Sequence, residues 1–296
     1  MSVSVPPHAA FHDEVVRAVL EDVGSGDITT EATIAADAKS CAVIGARSGG
    51  IVCGMAAAVC VFDYLGGVES TPTFADGASV QGGEMLLELF GSSRTILTGE
   101  RVALNFLQHL SGIATLTRKF VDAVAGTKAR IADTRKTTPG LRSLEKYAVR
   151  VGGGVNHRFG LYDAVLIKEN HIAAAGGIAV AVERVRQRAG FMMKIEVETR
   201  TFAEVEGALK CGVDVIMLDN MSVQTVREAV AIINGRAIVE ASGNVTLDIV
   251  RAIAETGVDI ISVGALTHSA PALDMTLQIC SEREIIAERN SLTTRT

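Results

Sequence analysis

The hydrophobic pattern changes at about residue 129, where short apolar runs begin to alternate with amphipathic segments. The apolar runs are rich in Val and Ile and cover Arg130–Ala132, Ala164–Ile167, Met193–Val197, Val213–Leu218, Ala237–Val239 and Val258–Val263. The segments between them show helical spacing over Val180–Arg188, Thr201–Lys210, Ser222–Ile233 and Leu247–Glu255. Because strands that are buried on both faces read as continuous apolar runs, the pattern predicts parallel strands covered by helices.

Each predicted strand ends in polar residues or glycine. These ends are Asp133-Thr134-Arg135-Lys136, Lys168-Glu169-Asn170-His171, Glu198-Thr199, Asp219-Asn220, Glu240-Ala241-Ser242-Gly243 and Gly264. An α/β barrel carries its active site at all of its carboxyl strand ends, whereas an open doubly wound sheet uses only those at a switch point. The polar ends therefore favour a barrel. A complete barrel needs eight strand–helix units, and the sequence shows about six. Either the barrel is incomplete, or the apolar pattern of its remaining strands is too weak to recognise.

The first 110 or so residues carry a different pattern. Apolar residues recur at helical spacing from Phe11 to Leu20, and we expect this helix to end near Gly24. We further predict a loop over Gly24–Thr30, a strand over Cys41–Ala46, a buried helix over Gly54–Leu65 and a long helix that opens at Glu100. Strands mixed with segregated helices predict a small α+β domain.

Composition narrows the possible function classes. The net charge is −6, and aromatic residues make up 4% of the chain with no Trp, which argues against nucleic acid or an anionic membrane as the main partner. No secretory leader or membrane-spanning run is visible, so we expect a cytoplasmic protein. The five cysteines form no CxxC pair, and we expect reduced, buried thiols at Cys41, Cys53, Cys60, Cys211 and Cys280.

Cations cluster after the first two predicted barrel strands. Arg135, Lys136 and Lys168 each follow an apolar run, and His157 and Arg158 lie between them in sequence. Converging cations suit a ligand with several carboxylates or phosphates, because Arg binds such groups in bidentate fashion and Lys acts as a point charge. Three further cations have the spacing of a solvated helix face, namely Arg142, Lys146 and Arg150.

Carboxylates follow three successive strands, at Glu198, Asp219 and Glu240. At one barrel mouth they could bind Mg²⁺ with its waters, accept hydrogen bonds from sugar hydroxyls, or stabilise developing positive charge. Alternatively, they pair with the cations and neutralise a polar rim. The two interpretations are compatible, since an empty anion site often holds such pairs.

Glycines follow the last two predicted strands, in Ser242-Gly243-Asn244 and Gly264-Ala265. Late barrel strands often present backbone N–H groups to a phosphate, and glycine permits the close approach. The sequence contains no Walker A motif, dinucleotide fingerprint or nucleophile elbow. His8 and His12 are four residues apart, as helical metal ligands would be, but they lie beside Pro6-Pro7 and we expect them to be surface residues.

Long motifs in the sequence resemble the quinolinate phosphoribosyltransferase family. Four of these motifs are the most specific, and they follow one another along the chain. They are Asp133-Thr134-Arg135-Lys136-Thr137-Thr138-Pro139-Gly140-Leu141-Arg142, Glu145–Val149, Gly152-Gly153-Gly154-Val155-Asn156-His157-Arg158 and Leu166–His171. Shorter matches are Gly26–Thr30, Glu100–Asn105, Glu196–Glu198, Leu218–Asn220 and Glu240–Gly243. The resemblance covers nearly the whole chain.

The resemblance implies an incomplete α/β barrel joined to a smaller N-terminal α/β sandwich domain. We expect the sandwich domain at residues 1–113, the barrel at 114–275, and a C-terminal helix at 276–296 that packs back on the N-terminal domain. The implied reaction joins quinolinate to phosphoribosyl pyrophosphate (PRPP) with Mg²⁺, giving nicotinate mononucleotide, pyrophosphate and CO₂ for NAD biosynthesis. The implied assembly is a homodimer or a higher even oligomer.

The resemblance also implies roles for individual residues. Quinolinate would contact Arg101 of the partner subunit together with Thr134, Arg135, His157, Arg158 and Lys168. Lys136 would contact PRPP phosphates and act in catalysis with Glu198 and Asp219, which would hold the ribose hydroxyls or, through water, Mg²⁺. The phosphate site would comprise Ser242, Gly243, Asn244, Val263, Gly264 and Ala265.

Three other hypotheses remain open. A paralogue linked to molybdenum transport would share the barrel, but is not expected to keep the full set of carboxylate-binding cations. A non-catalytic phosphate sensor would be expected to lose Glu198 or Asp219, and both are present. A phosphosugar isomerase would need a general base beside a C–H bond, which the excess of cations suits poorly.

Overall fold

The computed structural model describes residues 3–280, which divide into two units. The first comprises residues up to Leu116, Thr138–Gly152 and the residues from Ala270; the second comprises Thr117–Thr137 and Gly153–Ser269. The predicted division at residue 113 lies close to the first boundary. Thr138–Gly152, which we expected in the barrel domain, groups with the first unit.

The strands are β1 Lys39–Ala46, β2 Gly50–Ile51, β3 Val68–Pro72, β4 Ser79–Val80, β5 Met85–Ser92, β6 Arg130–Ala132, β7 Val165–Ile167, β8 Ile195–Thr199, β9 Val215–Asp219, β10 Ile238–Ser242, β11 Ile260–Ser262 and β12 Met275–Cys280. The helices are α1 His12–Val23, α2 Ile28–Thr33, α3 Met55–Leu65, α4 Ser93–Ala123, α5 Arg142–Val151, α6 Glu169–Ala175, α7 Ile178–Arg186, α8 Phe202–Lys210, α9 Val223–Ile233, α10 Leu247–Ala254 and α11 Ala265–His268, with a 3₁₀ turn at His8–Ala10.

The first unit is built on a four-stranded antiparallel sheet of order β12-β1-β5-β3, with a two-stranded ladder of β2 and β4. Strand β12 corrects the C-terminal prediction, because we expected a helix from residue 276. Met275 and Leu277 are buried while Gln278 is exposed, and β12 pairs with β1 along its whole length. Pairing with a distant strand decides the conformation here. The rest of that predicted helix, 281–296, lies outside the described residues.

Two helix starts in the first unit differ from the predictions. The predicted loop over Gly24–Thr30 ends early, because Asp27 accepts a hydrogen bond from the backbone N–H of Thr30 at 2.9 Å and starts α2 at Ile28. Helix α4 begins at Ser93 rather than Glu100. Here too a side chain caps the first turn, because the Ser92 hydroxyl accepts a hydrogen bond from the backbone N–H of Thr95 at 3.3 Å. Both are N-capping interactions that a single side chain provides.

The second unit contains a six-stranded parallel sheet of order β6-β11-β10-β9-β8-β7. From β7 to β11 each strand lies beside its predecessor, and the first strand, β6, pairs with the last, β11. This is the strand order of a barrel that is open between its first two strands. Within residues 3–280, an isolated bridge from Ala132 to Val155 is the pairing that continues the sheet beyond β6. The predicted incomplete α/β barrel of six units is confirmed.

Burial explains the barrel strands, and capping explains where the barrel helices begin. Every residue of β8 is buried, including the two acidic residues Glu196 and Glu198. Helix α8 begins with a capping box in which Thr201 and Glu204 each accept the other's backbone N–H. None of the helices within residues 3–280 combines the length and apolar character needed to cross a bilayer.

Candidate active site

A group of opposite charges lies at the carboxyl ends of β7, β8 and β9. Lys168 Nζ lies 3.2 Å from Glu198 Oε2, and the Glu198 side chain is only 8% exposed. Arg200, directly after β8, reaches Glu198 Oε1 at 3.7 Å and Asp219 Oδ2 at 3.5 Å. The structure thus brings together Lys168, Glu198 and Asp219, as expected from the strand ends. The carboxylates are paired with cations, which was one of the two interpretations left open.

Arg200 was missed by the sequence analysis. Besides Glu198 and Asp219 it also forms an ion pair with Glu169, the first residue of α6. Its guanidinium therefore links three carboxylates from three successive strand ends. The available signal was its position, since it follows β8 as Lys168 follows β7.

A second charged cluster, which we call the imidazole–diacid cluster, consists of His157, Glu196 and Glu240. His157 Nε2 lies 3.1 Å from Glu196 Oε2 and 3.5 Å from Glu240 Oε2, and both carboxylates are buried. Burial alone would lower the pKa of His157, but the hydrogen bonds and charges of Glu196 and Glu240 raise it to about 10. His157 is therefore an imidazolium near neutral pH. Burial and the charge of Glu240 raise the pKa of Glu196.

Two oxygens of this cluster lack hydrogen-bond partners among residues 3–280, namely Glu196 Oε1 and Glu240 Oε1. Unsatisfied buried carboxylate oxygens are costly, and they are expected at a functional site rather than in a structural core. Glu196 was not among the predicted site residues, and the role of Glu240 was open. The structure assigns both to contacts with His157.

Buried Asp133 holds the loop that carries His157. Its carboxylate accepts the backbone N–H of His157 at 2.8 Å and the side-chain amide of Asn156 at 2.5 Å. Arg158 donates to the carbonyl of Ala164 at 3.1 Å. Asp133 therefore positions the loop at His157, and the carbonyl of Ala164 positions the adjacent guanidinium.

Arg135 and Arg158 bring like charges together. Burial lowers the pKa of the Arg158 guanidinium, and the positive charge of Arg135 lowers it further. The two guanidinium groups repel each other, so an anionic ligand between them is favoured. With the His157 imidazolium, this part of the barrel suits a ligand that carries carboxylates.

Lys136 lies over the turn that follows β11. Its carbonyl accepts the hydroxyl of Thr267 at 2.8 Å, and its backbone N–H donates to the Thr134 hydroxyl at 3.0 Å. A Cβ at Gly264 would approach Lys136 Cδ to 3.0 Å, so glycine makes room for the lysine stem. The predicted phosphate contact Lys136 and the predicted turn Val263-Gly264-Ala265 are therefore neighbours.

The other glycine turn adjoins Asp219. Gly243 has φ +100°, and a Cβ there would overlap the side chain of Asn220. Asn244 donates to Asn220 Oδ1 at 3.0 Å, and Asn220 donates to Asp219 Oδ2 at 3.0 Å. The turn at Ser242-Gly243-Asn244 is thus connected by hydrogen bonds to the carboxylate predicted to face the ribose.

Two predicted positions fall in the first unit. Arg101 is exposed on α4, and its contribution to a partner's site stays a prediction. Lys146 is buried on α5, which corrects its interpretation as part of a solvated helix face with Arg142 and Arg150. All residues from Leu144 to Val149 are buried, so this part of α5 is covered on every side.

Family models match both parts of the chain. The model described as quinolinate phosphoribosyl transferase, N-terminal domain, matches residues 27–111. The model described as quinolinate phosphoribosyl transferase, C-terminal domain, matches residues 113–278.

Individual relatives match over nearly their full length. A probable nicotinate-nucleotide pyrophosphorylase [carboxylating] of Bacillus subtilis is 46% identical over 271 residues, covering 91% of this chain and 93% of the relative. A quinolinate phosphoribosyltransferase [decarboxylating] of Nicotiana tabacum is 44% identical, covering 95% and 86%. The solved structure of the nicotinate-nucleotide pyrophosphorylase from Francisella tularensis has a TM-score of 0.90 at 41% identity, covering 95% of this chain and 99% of that one. The chain belongs to the quinolinate phosphoribosyltransferase family.

Proposed function

We propose that this protein is a pentosyltransferase that joins the phosphoribosyl group of PRPP to quinolinate and releases pyrophosphate and CO₂, giving nicotinate mononucleotide for NAD biosynthesis. The observation that carries the proposal is the convergence of three cations, Arg135, His157 and Arg158, in the same barrel as the carboxylates Glu198 and Asp219. The first group suits a dicarboxylate, and the second suits the positive charge that develops on a ribose.

The cations Arg135, His157 and Arg158 account for the binding and orientation of quinolinate. The pyridine nitrogen of quinolinate is a weak nucleophile, so the reaction depends on holding it against the ribose carbon in the right geometry. Bidentate contacts from Arg135 and Arg158, with a point charge from His157, would fix both carboxylates. Thr134, Lys168 and the partner's Arg101 complete the proposed quinolinate contacts.

The carboxylates account for stabilisation of the transition state. As the bond from the ribose to pyrophosphate breaks, positive charge builds up on the ribose carbon, and buried Glu198 with Asp219 would stabilise it. Both acids are paired with a cation, Glu198 with Lys168 and Asp219 with Arg200. Arg200 can turn to the pyrophosphate of PRPP and Lys168 to a carboxylate of quinolinate, which leaves Glu198 and Asp219 facing the ribose. No covalent nucleophile is needed.

The glycine turns account for phosphate binding. Gly243 and Gly264 keep side chains away from the backbone N–H groups beside Asp219 and Lys136. A 5′-phosphate held there by Ser242, Asn244 and the Val263-Gly264-Ala265 turn would place the ribose next to Glu198 and Asp219.

The donor set fits Mg²⁺ in its usual enzyme setting. Glu198 and Asp219 offer hard oxygens, and Mg²⁺ is commonly held by one or two carboxylates together with waters and substrate phosphates. The ion pairs of both acids with Lys168 and Arg200 argue against an all-protein cage, so we propose binding through water with PRPP. When bound, Mg²⁺ neutralises charge on the departing pyrophosphate.

Loss of CO₂ follows from the charge on the ring. Once the pyridine nitrogen carries the ribose it is cationic, so the electron pair left by the departing carboxylate is stabilised. The chain's residues need only keep the carboxylate fixed and away from water. The assembly we propose is a homodimer, because Arg101 would complete the partner's site, and the proposed compartment is the cytoplasm.

A product assay tests this function directly. The protein is mixed with quinolinate, PRPP and Mg²⁺, nicotinate mononucleotide and CO₂ are followed together, and nicotinate serves as the parallel substrate. Equimolar product and CO₂ from quinolinate, with none from nicotinate, is the expected result. PRPP binding without turnover of either acid would contradict the proposal and favour the transport-linked paralogue or a phosphate sensor.

A further inference from the structure

A thiol and two imidazoles that have no role assigned in the reaction meet in the first unit. The donor atoms of His8, His12 and Cys60 all lie within 4.8 Å of one another. His8 Nε2 is 3.5 Å from Cys60 Sγ, and the rings of His8 and His12 lie 4.7 Å apart between centroids. His8 belongs to the 3₁₀ turn and His12 begins α1, whereas Cys60 lies on α3.

The spacing of these donors fits a tetrahedral ion. With Zn–S of about 2.3 Å and Zn–N of about 2.0–2.1 Å, tetrahedral geometry places sulfur and nitrogen ligands about 3.6 Å apart. The separation of His8 Nε2 and Cys60 Sγ, 3.5 Å, already has this value. Small side-chain rotations of His12 would bring the third donor to a similar distance. Three protein donors leave the fourth position to water.

The chemistry of the donors selects the metal. A thiolate with two imidazoles suits Zn²⁺ or copper and is a poor site for Mg²⁺ or Ca²⁺, which prefer oxygen ligands. Cys60 is 4% exposed, whereas His8 is exposed and the His12 side chain is 38% exposed, so an ion can approach from the imidazole side. Zinc binds cysteine as the thiolate, so a free thiol gives up its proton when the ion binds.

We propose that His8, His12 and Cys60 form a zinc site that ties the N-terminal turn and the start of α1 to α3. As the S–Zn bond forms, the thiol proton of Cys60 passes to the buffer, while the two neutral imidazoles bind through nitrogen lone pairs. Each bound ion therefore releases about one proton. The site is structural, because it shares no residue with the proposed quinolinate and PRPP contacts.

The test uses the full-length protein, stripped with a chelator and then dialysed. Zn²⁺ is titrated by calorimetry in buffers of different ionisation enthalpy, and Co²⁺ serves as a spectroscopic probe. We expect one Zn²⁺ per chain, about one proton released per ion, a thiolate-to-cobalt charge-transfer band, and a Zn²⁺-dependent rise in melting temperature. Cys60→Ser should abolish the band and weaken Zn²⁺ binding by at least about 10–100-fold.

Two further variants keep the proposal falsifiable if Cys60→Ser folds poorly. His12→Asn changes a partly exposed side chain and should weaken Zn²⁺ binding to a similar degree. Cys211→Ser, which removes a half-buried thiol outside the cluster, should bind Zn²⁺ as the parent does. A Co²⁺ complex without a thiolate band, Zn²⁺ binding that survives both cluster substitutions, or no binding by the parent would overturn the proposal. Zinc held instead by barrel carboxylates would show the first two of these outcomes.

Discussion

The charge state of His157 gives the sharpest test of the site. Its pKa is raised from an ordinary value of 6.5 to about 10, against the effect of burial, by Glu196 and Glu240. Glu240→Gln keeps the shape of the side chain and removes one of the two negative charges. We predict that this substitution lowers the pKa of His157 to about 8, so that the imidazole loses its charge within the working pH range of an enzyme.

The size of the effect follows from the distance. Two unit charges 3.5 Å apart, as in His157 and Glu240, interact by roughly 5 kcal/mol at an effective dielectric constant of about 20. Since about 1.4 kcal/mol corresponds to one pKa unit, removal of Glu240 alone would lower the pKa of His157 by roughly 3. Glu196 offsets part of this loss, because without the charge of Glu240 it ionises more readily and holds the imidazolium more strongly. A net fall of about 2 remains.

The assay is an NMR titration of the imidazole nitrogens in ¹⁵N-histidine-labelled protein. The control is Glu206→Gln, which removes the same charge from an exposed position on α8. The KM for quinolinate should rise above about pH 8 in Glu240→Gln but only near pH 10 in the parent, since the neutral imidazole no longer binds a carboxylate. A parent midpoint near 6.5, or the same midpoint in both proteins, would refute the reasoning.

The same shift predicts how stability depends on pH. Because the pKa of His157 is higher in the folded than in the unfolded chain, its contribution is complete below pH 6.5 and is lost as the pH rises through about 10. The urea midpoint should therefore fall across that window. In Glu240→Gln the contribution of His157 to stability should already be lost near pH 8.

Four further predictions concern the remaining parts of the site. Arg135→Ala should raise the quinolinate KM sharply with an unchanged circular dichroism spectrum, and unchanged KM and kcat would contradict its assignment. Arg101→Ala and Lys168→Ala should each be inactive, yet subunit exchange should restore about a quarter of parental activity, because half of the dimers then hold one intact site; no recovery would exclude a contribution in trans. Glu198→Gln should lower kcat by roughly 10²–10³-fold with little change in KM, which steady-state kinetics can separate. Gly243→Ala should lower the free energy of unfolding by roughly 1–3 kcal/mol and raise the PRPP KM, as urea unfolding and kinetics would show, since its φ of +100° disfavours a side chain.

The barrel could be predicted because each of its strands can be recognised from its own short stretch of sequence. Strands buried on both faces read as continuous apolar runs, so all six were found, with boundaries displaced by a few residues. Strand β12 could not be found in this way, because Met275–Cys280 becomes a strand by pairing with β1, which lies far away in the sequence. The short helix α2 was also missed, because the Asp27 cap starts it inside a segment that had been predicted as a loop.

The site was predictable where side chains follow strands directly. Lys168, Glu198 and Asp219 meet as their positions implied. Glu196 was overlooked although the sequence held a signal: it lies two residues before Glu198, and alternate residues of a strand face the same side. Arg200 carried the same positional signal as Lys168, since each directly follows a barrel strand.

Position at the strand ends alone left three carboxylates as equal candidates to face the ribose. The family resemblance implied Glu198 and Asp219, and the contacts in the structure separate the same two from Glu240. Glu240 is committed to the His157 imidazolium, which it keeps charged, whereas Glu198 and Asp219 share Arg200. Only the latter two have partners that an anionic pyrophosphate can draw away. An acid that maintains a substrate-binding cation should affect KM for quinolinate and its pH dependence, while an acid that faces the ribose should affect kcat. The Glu240→Gln and Glu198→Gln variants therefore divide the three carboxylates into two roles, and equal effects on kcat would contradict that division.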